Sequence, residues 1–249
     1  MIKLIDLRKS FNGHEVLSGV DLSVRDTEAV TVIGKSGCGK SVLLKHIIGI
    51  LRPDSGSVVI DGADLTSLDR SGLNRVRKKL GVLFQGGALF DSLTVFGNIA
   101  FQLREKTTLS KGEIRDRVIQ ALEDVGLKGM GHKRPSELSG GMKKRTGLAR
   151  ALITEPSIVL FDEPTTGLDP VSKRSIQRLI ITTREKYHYT AVVISHEVPD
   201  IFEITDKVAM LYNGKIEEYG TPQEIINSSN PVVKQFITGG LEGPIESIS

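Results

Sequence analysis

AVTVIGKSGCGKSVLLKHIIGIL, residues 29–51, is the stretch on which the fold turns. Ala29 to Ile33 is short, β-branched and almost wholly apolar, which suits a strand buried on both faces. Gly34-Lys35-Ser36-Gly37-Cys38-Gly39-Lys40-Ser41 follows at once and matches GxxxxGK(S/T) in full. An apolar helix from Ser41 through Val42 to Leu51 completes the strand–loop–helix order that the motif requires. Glycines let the backbone curl so that successive N–H groups point at phosphate oxygens, and the helix N-terminus adds its positive dipole end. Lys40 would reach the β- and γ-phosphates and Ser41 would hold Mg²⁺. Cys38 fills a variable position, either as a small loop residue or as a redox-sensitive thiol.

Upstream of this stretch, IKLIDLRKSF and VLSGVDLSV alternate in part and read as strands, with NGHE as the turn between them. Downstream, SVVIDG and KLGVLFQ read as strands, the second ending at Gln85. From about Ala88 to Glu155 the pattern turns helical: EIRDRVIQALEDVGL places Ile114, Val118, Ile119, Leu122 and Val125 near helical spacing, and KKRTGLARALI is a further helix. SIVLFDE and TAVVISH are two more apolar strands, with the helix VSKRSIQRLIITTREK between them. VAMLYNGKIEEYG reads as a hairpin around Asn213-Gly214, and from Thr221 the chain reads as a helix or two and a polar tail. Strands alternating with helices imply a mostly parallel sheet covered on both faces.

Three strand ends carry polar groups, and a doubly wound sheet presents ligands at such ends. Asp162 would bind Mg²⁺, and Glu163 would polarise an attacking water as general base; alternatively both are solvated acids in a turn before Pro164. His196 would touch the γ-phosphate and the water, or be a structural histidine. Gln85 is uncharged, offers Mg²⁺ or water an amide oxygen, and sits where the helical insertion starts; its bland reading is a polar loop residue. Ser139-Gly140-Gly141 precedes a helix and so offers bare backbone N–H groups, a second anion site. One nucleotide needs one cradle. The second is accounted for if two copies pair head to tail, each ATP lying between one phosphate loop and the other chain's Ser-Gly-Gly turn.

The composition excludes several classes. The net charge of +3 over 249 residues does not argue for a nucleic-acid-binding face. No apolar run of membrane-spanning length occurs; Val42 to Leu51, the best candidate, is interrupted by Lys45 and His46. The N-terminus lacks the apolar stretch of a signal peptide. The single cysteine rules out an internal disulfide and fits a reducing compartment. The expectation is a cytoplasmic chain.

In this order, GKSGCGKS, Gln85, LSGGM, VLFDEP, TGLD and His196 resemble the ATP-binding cassette (ABC) family over roughly residues 1–225. The resemblance implies a RecA-like P-loop NTPase core with an antiparallel β subdomain (residues 1–86 and 157–225) and an inserted helical subdomain (about 87–156), leaving 226–249 as a C-terminal helix and tail. It makes Phe11 the ring that stacks on adenine, against the alternative of a core phenylalanine, with Val16 packed beside it. Asp169 of TGLD becomes an acid that crosses the dimer interface. The signature usually reads LSGGQ; here Met142 replaces the glutamine.

The finer resemblance is to the ATPases of bacterial Mce-type phospholipid transporters, the maintenance-of-lipid-asymmetry (Mla) group. It is carried by FQGGALFDSLTVFGNIAFQLRE, PSELSGGMKKR, SHEVPD and VVKQFITGGLEGPI, and Met142 itself is shared with that group. It implies a homodimer on the cytoplasmic face of the inner membrane under two permease copies, with an Mce-domain protein reached through the permease. Some members also bind a STAS-domain protein, and in some the tail clasps the opposite subunit; LEGPIESIS beyond Gly240 is short for an extensive clasp. Phe84, Ala88, Leu89, Phe90, Leu93, Val95 and Phe96 would line a groove for a permease helix, or form subdomain core. The alternatives are the ATPase of a small-solute importer and a soluble cofactor-assembly ATPase.

Overall fold

The structure, a computed structural model, describes residues 1–246; the last three residues of the expected polar tail lie outside the described residues. In chain order the strands and helices are β1 (Ile2–Phe11), β2 (His14–Val24), β3 (Ala29–Ile33), α1 (Lys40–Ile47), β4 (Ser55–Ile60), β5 (Ala63–Asp64) and α2 (Arg70–Lys78). Then come β6 (Leu80–Leu83), α3 (Val95–Lys106), α4 (Lys111–Asp124), α5 (Gly140–Leu152), β7 (Ile158–Asp162) and α6 (Pro170–Tyr187). The chain closes with β8 (Thr190–Ile194), β9 (Lys207–Tyr212), β10 (Lys215–Gly220), α7 (Pro222–Ile226) and α8 (Pro231–Thr238). Two compact units result: Met1–Arg77 with Val192 onward, and Lys78–Ala191.

The first unit holds an antiparallel sheet in the order β2-β1-β4-β5. The β1–β2 hairpin closes in two residues, with Phe11 opposite His14 and both Asn12 and Gly13 at positive φ, as a tight hairpin turn demands. The same unit carries a mixed sheet in which β3 runs parallel to β9 and β9 antiparallel to β10. All five residues of β3 are buried, and its apolar run reflects contact on both faces. The Asn213-Gly214 hairpin forms as expected, with Tyr212 opposite Lys215, and its Gly214 carbonyl accepts from Ser18 N–H at 2.8 Å.

In the second unit β6 and β7 are parallel, Leu80 facing Ile158 and Leu83 facing Phe161. The strand expected to reach Gln85 therefore stops at Leu83. The core includes Phe161 and Tyr189, whose hydroxyl is satisfied by Thr183 at 2.9 Å and the Ile180 carbonyl at 3.1 Å. α4 opens with a capping box, Ser110 and Glu113 each accepting from the other's backbone N–H. Of the apolar positions expected on its inner face, Ile114, Val118 and Leu122 are buried while Ile119 is exposed. α2 answers to no expected helix.

Asp124, at the end of α4, ties it to the end of α6. It accepts from Lys186 Nζ at 2.7 Å, from Gln120 Nε2 at 3.0 Å and, closely, from the Tyr187 hydroxyl. Burial by itself would raise its pKa, but these donors outweigh it and hold the carboxyl below the ordinary carboxylate value. A depressed carboxylate stabilises the fold above its unfolded pKa and ceases to do so as pH falls through the folded one. Asp124→Ala should thus cost about 2 kcal/mol at neutral pH. The difference from the parent should shrink once pH drops below about 4. Urea unfolding across that range measures both.

Candidate functional site

In the first unit the candidate phosphate loop joins β3 to α1. Lys40 is buried, and its Nζ donates to the carbonyls of Gly34 at 2.7 Å and Lys35 at 3.0 Å, so the ammonium already sits inside the curl. A Cβ at Gly34 would lie 2.4 Å from the Leu211 carbonyl oxygen. At Gly39, where φ is 108°, it would meet Val16 Cγ1 at 3.0 Å. Only glycine permits this approach of strand, hairpin and loop. Val16 thus packs on the loop, while Ser36, Gly37 and Ser41 face outward and Val42 is half-buried. The arrangement fits a polyphosphate: a fixed cation, a glycine-rich turn and a helix N-terminus converge. Burial raises the Cys38 thiol above its ordinary value, with Lys40 pulling less strongly the other way, which disfavours the reactive thiolate.

Ser195 N–H donates to the Val32 carbonyl at 3.2 Å, so the exit of β8 lies beside the exit of β3. Exposed His196 therefore leaves from the same strand end as the loop. Phe11 is 41% exposed, so it is no core residue, and Lys9 Nζ lies over its ring at 5.5 Å from the centre. The C-terminal segment reaches this region too. Gln235 exchanges hydrogen bonds with Ile245, the Tyr212 hydroxyl donates to the Pro244 carbonyl, and Lys35 Nζ donates to the Glu246 carbonyl at 2.8 Å.

In the second unit Asp162 ends β7 and Glu163 follows it with φ at 51°, in the left-handed region. Thr166 Oγ1 donates to Glu163 Oε2 at 2.7 Å, and Lys144 Nζ donates to the Glu163 carbonyl at 3.0 Å. Because Leu83 pairs with Phe161, exposed Gln85 leaves its strand at the same end as Glu163. The turn beyond Gln85 is gripped by Arg150, whose guanidinium donates to the Gly87 and Ala88 carbonyls at 2.7 Å each. Ser139 caps α5, accepting from Met142 N–H at 3.3 Å, and Gly140 and Gly141 open the helix. Asp169 caps α6, accepting from the Val171 and Ser172 N–H groups at 3.0 Å; its bonds to Ser172, then Val171, keep the carboxyl below its ordinary value. Among the apolar residues from Phe84 to Phe96, Val95 is fully buried, whereas Phe84 and Phe90 are 39% and 45% exposed, so the stretch is part core and part surface. The side chains that sequence reasoning missed are Lys144, Thr166 and Arg150. A positive charge inside KKRTGLAR was legible, but not which backbone it would meet.

The family described as ABC transporter matches residues 17–166. "Probable ribonucleotide transport ATP-binding protein mkl" of Mycobacterium leprae is 42% identical over 98% of this chain and 70% of its own length. "Intermembrane phospholipid transport system ATP-binding protein MlaF" of Haemophilus influenzae is 40% identical over 98% of this chain and 93% of its own. Among solved structures, the dimeric ATP-binding cassette MJ0796 in a post-hydrolysis state with ADP and Pi superposes with a TM-score of 0.82 at 30% identity, over 89% of this chain and 99% of that one. With its phosphate loop, its acidic strand end and its signature helix, the chain belongs to the ABC transporter family and is an ATP-hydrolysing cassette of it.

Proposed function

We propose that the chain is the motor subunit of a membrane transporter that moves phospholipid between the inner and outer membranes. The observation that carries this reading is the similarity to MlaF, which runs over nearly the whole of both chains. The mkl relative is matched over 70% of its length, and its name points to ribonucleotides. Among the described residues no helix is long and apolar enough to cross a membrane, so work on a lipid requires a membrane-embedded partner.

The roles are assigned motif by motif. Gly34 to Ser41, with Val42 behind them, hold the phosphates, and Phe11 with Val16 holds the base. Ser41, Gln85 and Asp162 would hold Mg²⁺, which neutralises charge on the β- and γ-phosphates when bound; hydroxyl, amide and carboxylate oxygens are the donors that ion takes. Glu163 accepts the proton of the water whose oxygen attacks the γ-phosphorus, while the bond to the ADP oxygen breaks; ADP and phosphate leave. His196 orients that water. Ser139, Gly140 and Gly141 complete the partner copy's nucleotide site in a homodimer, and Asp169 lies at the interface. ATP favours the closed dimer and its hydrolysis reopens it, so differential affinity drives the permease. The subunit works at the cytoplasmic face, with a permease and an Mce-domain protein reached through the permease.

The test is affinity purification of the tagged full chain from detergent-solubilised membranes, with companions identified by mass spectrometry. A multi-span permease together with an Mce-domain protein is the expected result. A permease with a solute-binding protein moves the cargo to a small molecule, ribonucleotides included. Absence of any membrane companion overturns the transport assignment.

A further inference from the structure

Lys144 is 5% exposed, an unusual setting for a lysine. It lies on α5, little more than one turn beyond the Ser139 cap. Its Nζ reaches out of the helix to the backbone carbonyl of Glu163 at 3.0 Å. That carbonyl belongs to a residue in an unfavourable conformation: Glu163 has φ at 51° and stands directly before Pro164. A left-handed backbone is disfavoured for any residue with a side chain, and a following proline biases its predecessor towards extended geometry. Such a conformation persists where its surroundings over-determine it. Bonds that contribute to this here include one on the backbone from Lys144 and one on the carboxylate from Thr166 at 2.7 Å.

We infer that Lys144 is a positioning residue for hydrolysis: it holds the Glu163 backbone in the left-handed turn that aims the carboxylate, and so ties the setting of Glu163 to the position of the signature helix. The inference rests on Glu163 being the general base. A shift or rotation of α5 would be transmitted through this charge-assisted hydrogen bond to the residue before Pro164. Hydrolysis then depends on the seating of Ser139-Gly140-Gly141 through a direct mechanical link. Arg150, two turns further along the same helix, holds the Gly87 and Ala88 carbonyls next to Gln85, so α5 grips both segments by their backbones.

The experiment is steady-state ATP hydrolysis by the full chain in its purified transporter complex, for Lys144→Met, Lys144→Gln, Lys144→Arg and, in parallel, Glu163→Gln. The methionine keeps the aliphatic stem and removes the donor; the arginine keeps donor and charge. Lys144→Met should lower kcat about 10- to 50-fold with KM changed less than about threefold, in the range of a lost charge-assisted hydrogen bond. Lys144→Arg should return kcat to within about threefold of the parent, and Lys144→Gln should fall between. Unchanged kcat in Lys144→Met overturns the inference. So does a loss that arginine does not restore, or unfolding in all three variants, since either makes Lys144 a packing residue. Should Glu163→Gln itself retain turnover, the base assignment fails and the inference with it. Should Glu163→Gln be inactive while Lys144→Met is normal, the inference about Lys144 alone fails.

Discussion

Glu163→Gln is expected to leave ATP affinity within about threefold of the parent and to reduce turnover by two to four orders of magnitude, the usual contribution of a positioned general base. The amide is nearly isosteric with the carboxylate and can still accept from Thr166 Oγ1, which lies 2.7 Å from Glu163 Oε2. The backbone bond from Lys144 Nζ to the Glu163 carbonyl does not involve the side chain and survives. What disappears is the capacity to take a proton from water. If ATP binding closes the dimer and hydrolysis opens it, the variant should accumulate as an ATP-bound dimer, visible as a shift in size-exclusion chromatography that ADP does not produce. Single-turnover kinetics separate the chemical step from binding. Hydrolysis at the parental rate would remove Glu163 as the base and return Asp162-Glu163 to a pair of solvated acids.

Lys40→Ala should act earlier, on binding itself. The ammonium is held by the Gly34 and Lys35 carbonyls, so its positive charge is placed before any phosphate arrives and little entropy is lost in using it. Loss of its charge-assisted contacts should weaken ATP affinity by roughly 10- to 150-fold, corresponding to about 1.5–3 kcal/mol. The Gly34 and Lys35 carbonyls also lose the Lys40 donor, so the loop should loosen. A thermal-unfolding comparison without nucleotide separates this from the binding effect. Normal ATP affinity in Lys40→Ala would contradict the phosphate-cradle assignment. The two variants fail at different steps: Lys40→Ala binds ATP more weakly, and Glu163→Gln binds it but turns over slowly.

Much of the architecture was open to a reading of local pattern. β3 and β8 are continuous apolar runs because they are buried along their whole length, and such runs look alike in any sequence with a covered parallel sheet. Asn12-Gly13 and Asn213-Gly214 announce hairpins because their positive φ values suit those residues. α2 escaped notice because RSGLNRVRK offers only Leu73 and Val76 as apolar positions, too few for a stripe. Ile119 shows the converse failure: its spacing fits the inner face of α4, yet it is 42% exposed, because helical periodicity does not set the width of the buried face.

The candidate site divides along the same line. Gly34 to Ser41, Asp162-Glu163 and Ser139-Gly140-Gly141 are contiguous in the chain, and their chemistry depends on backbone N–H groups and strand ends that local sequence specifies. The pattern that marks a phosphate cradle was therefore legible in the sequence alone. That Lys144 meets the Glu163 carbonyl, that Arg150 holds the turn after Gln85 and that Lys35 donates to Glu246 were decided by tertiary structure. Each of these joins residues 19 to 211 positions apart, and a hydrogen bond across such a separation depends on how elements pack, which no local spacing encodes.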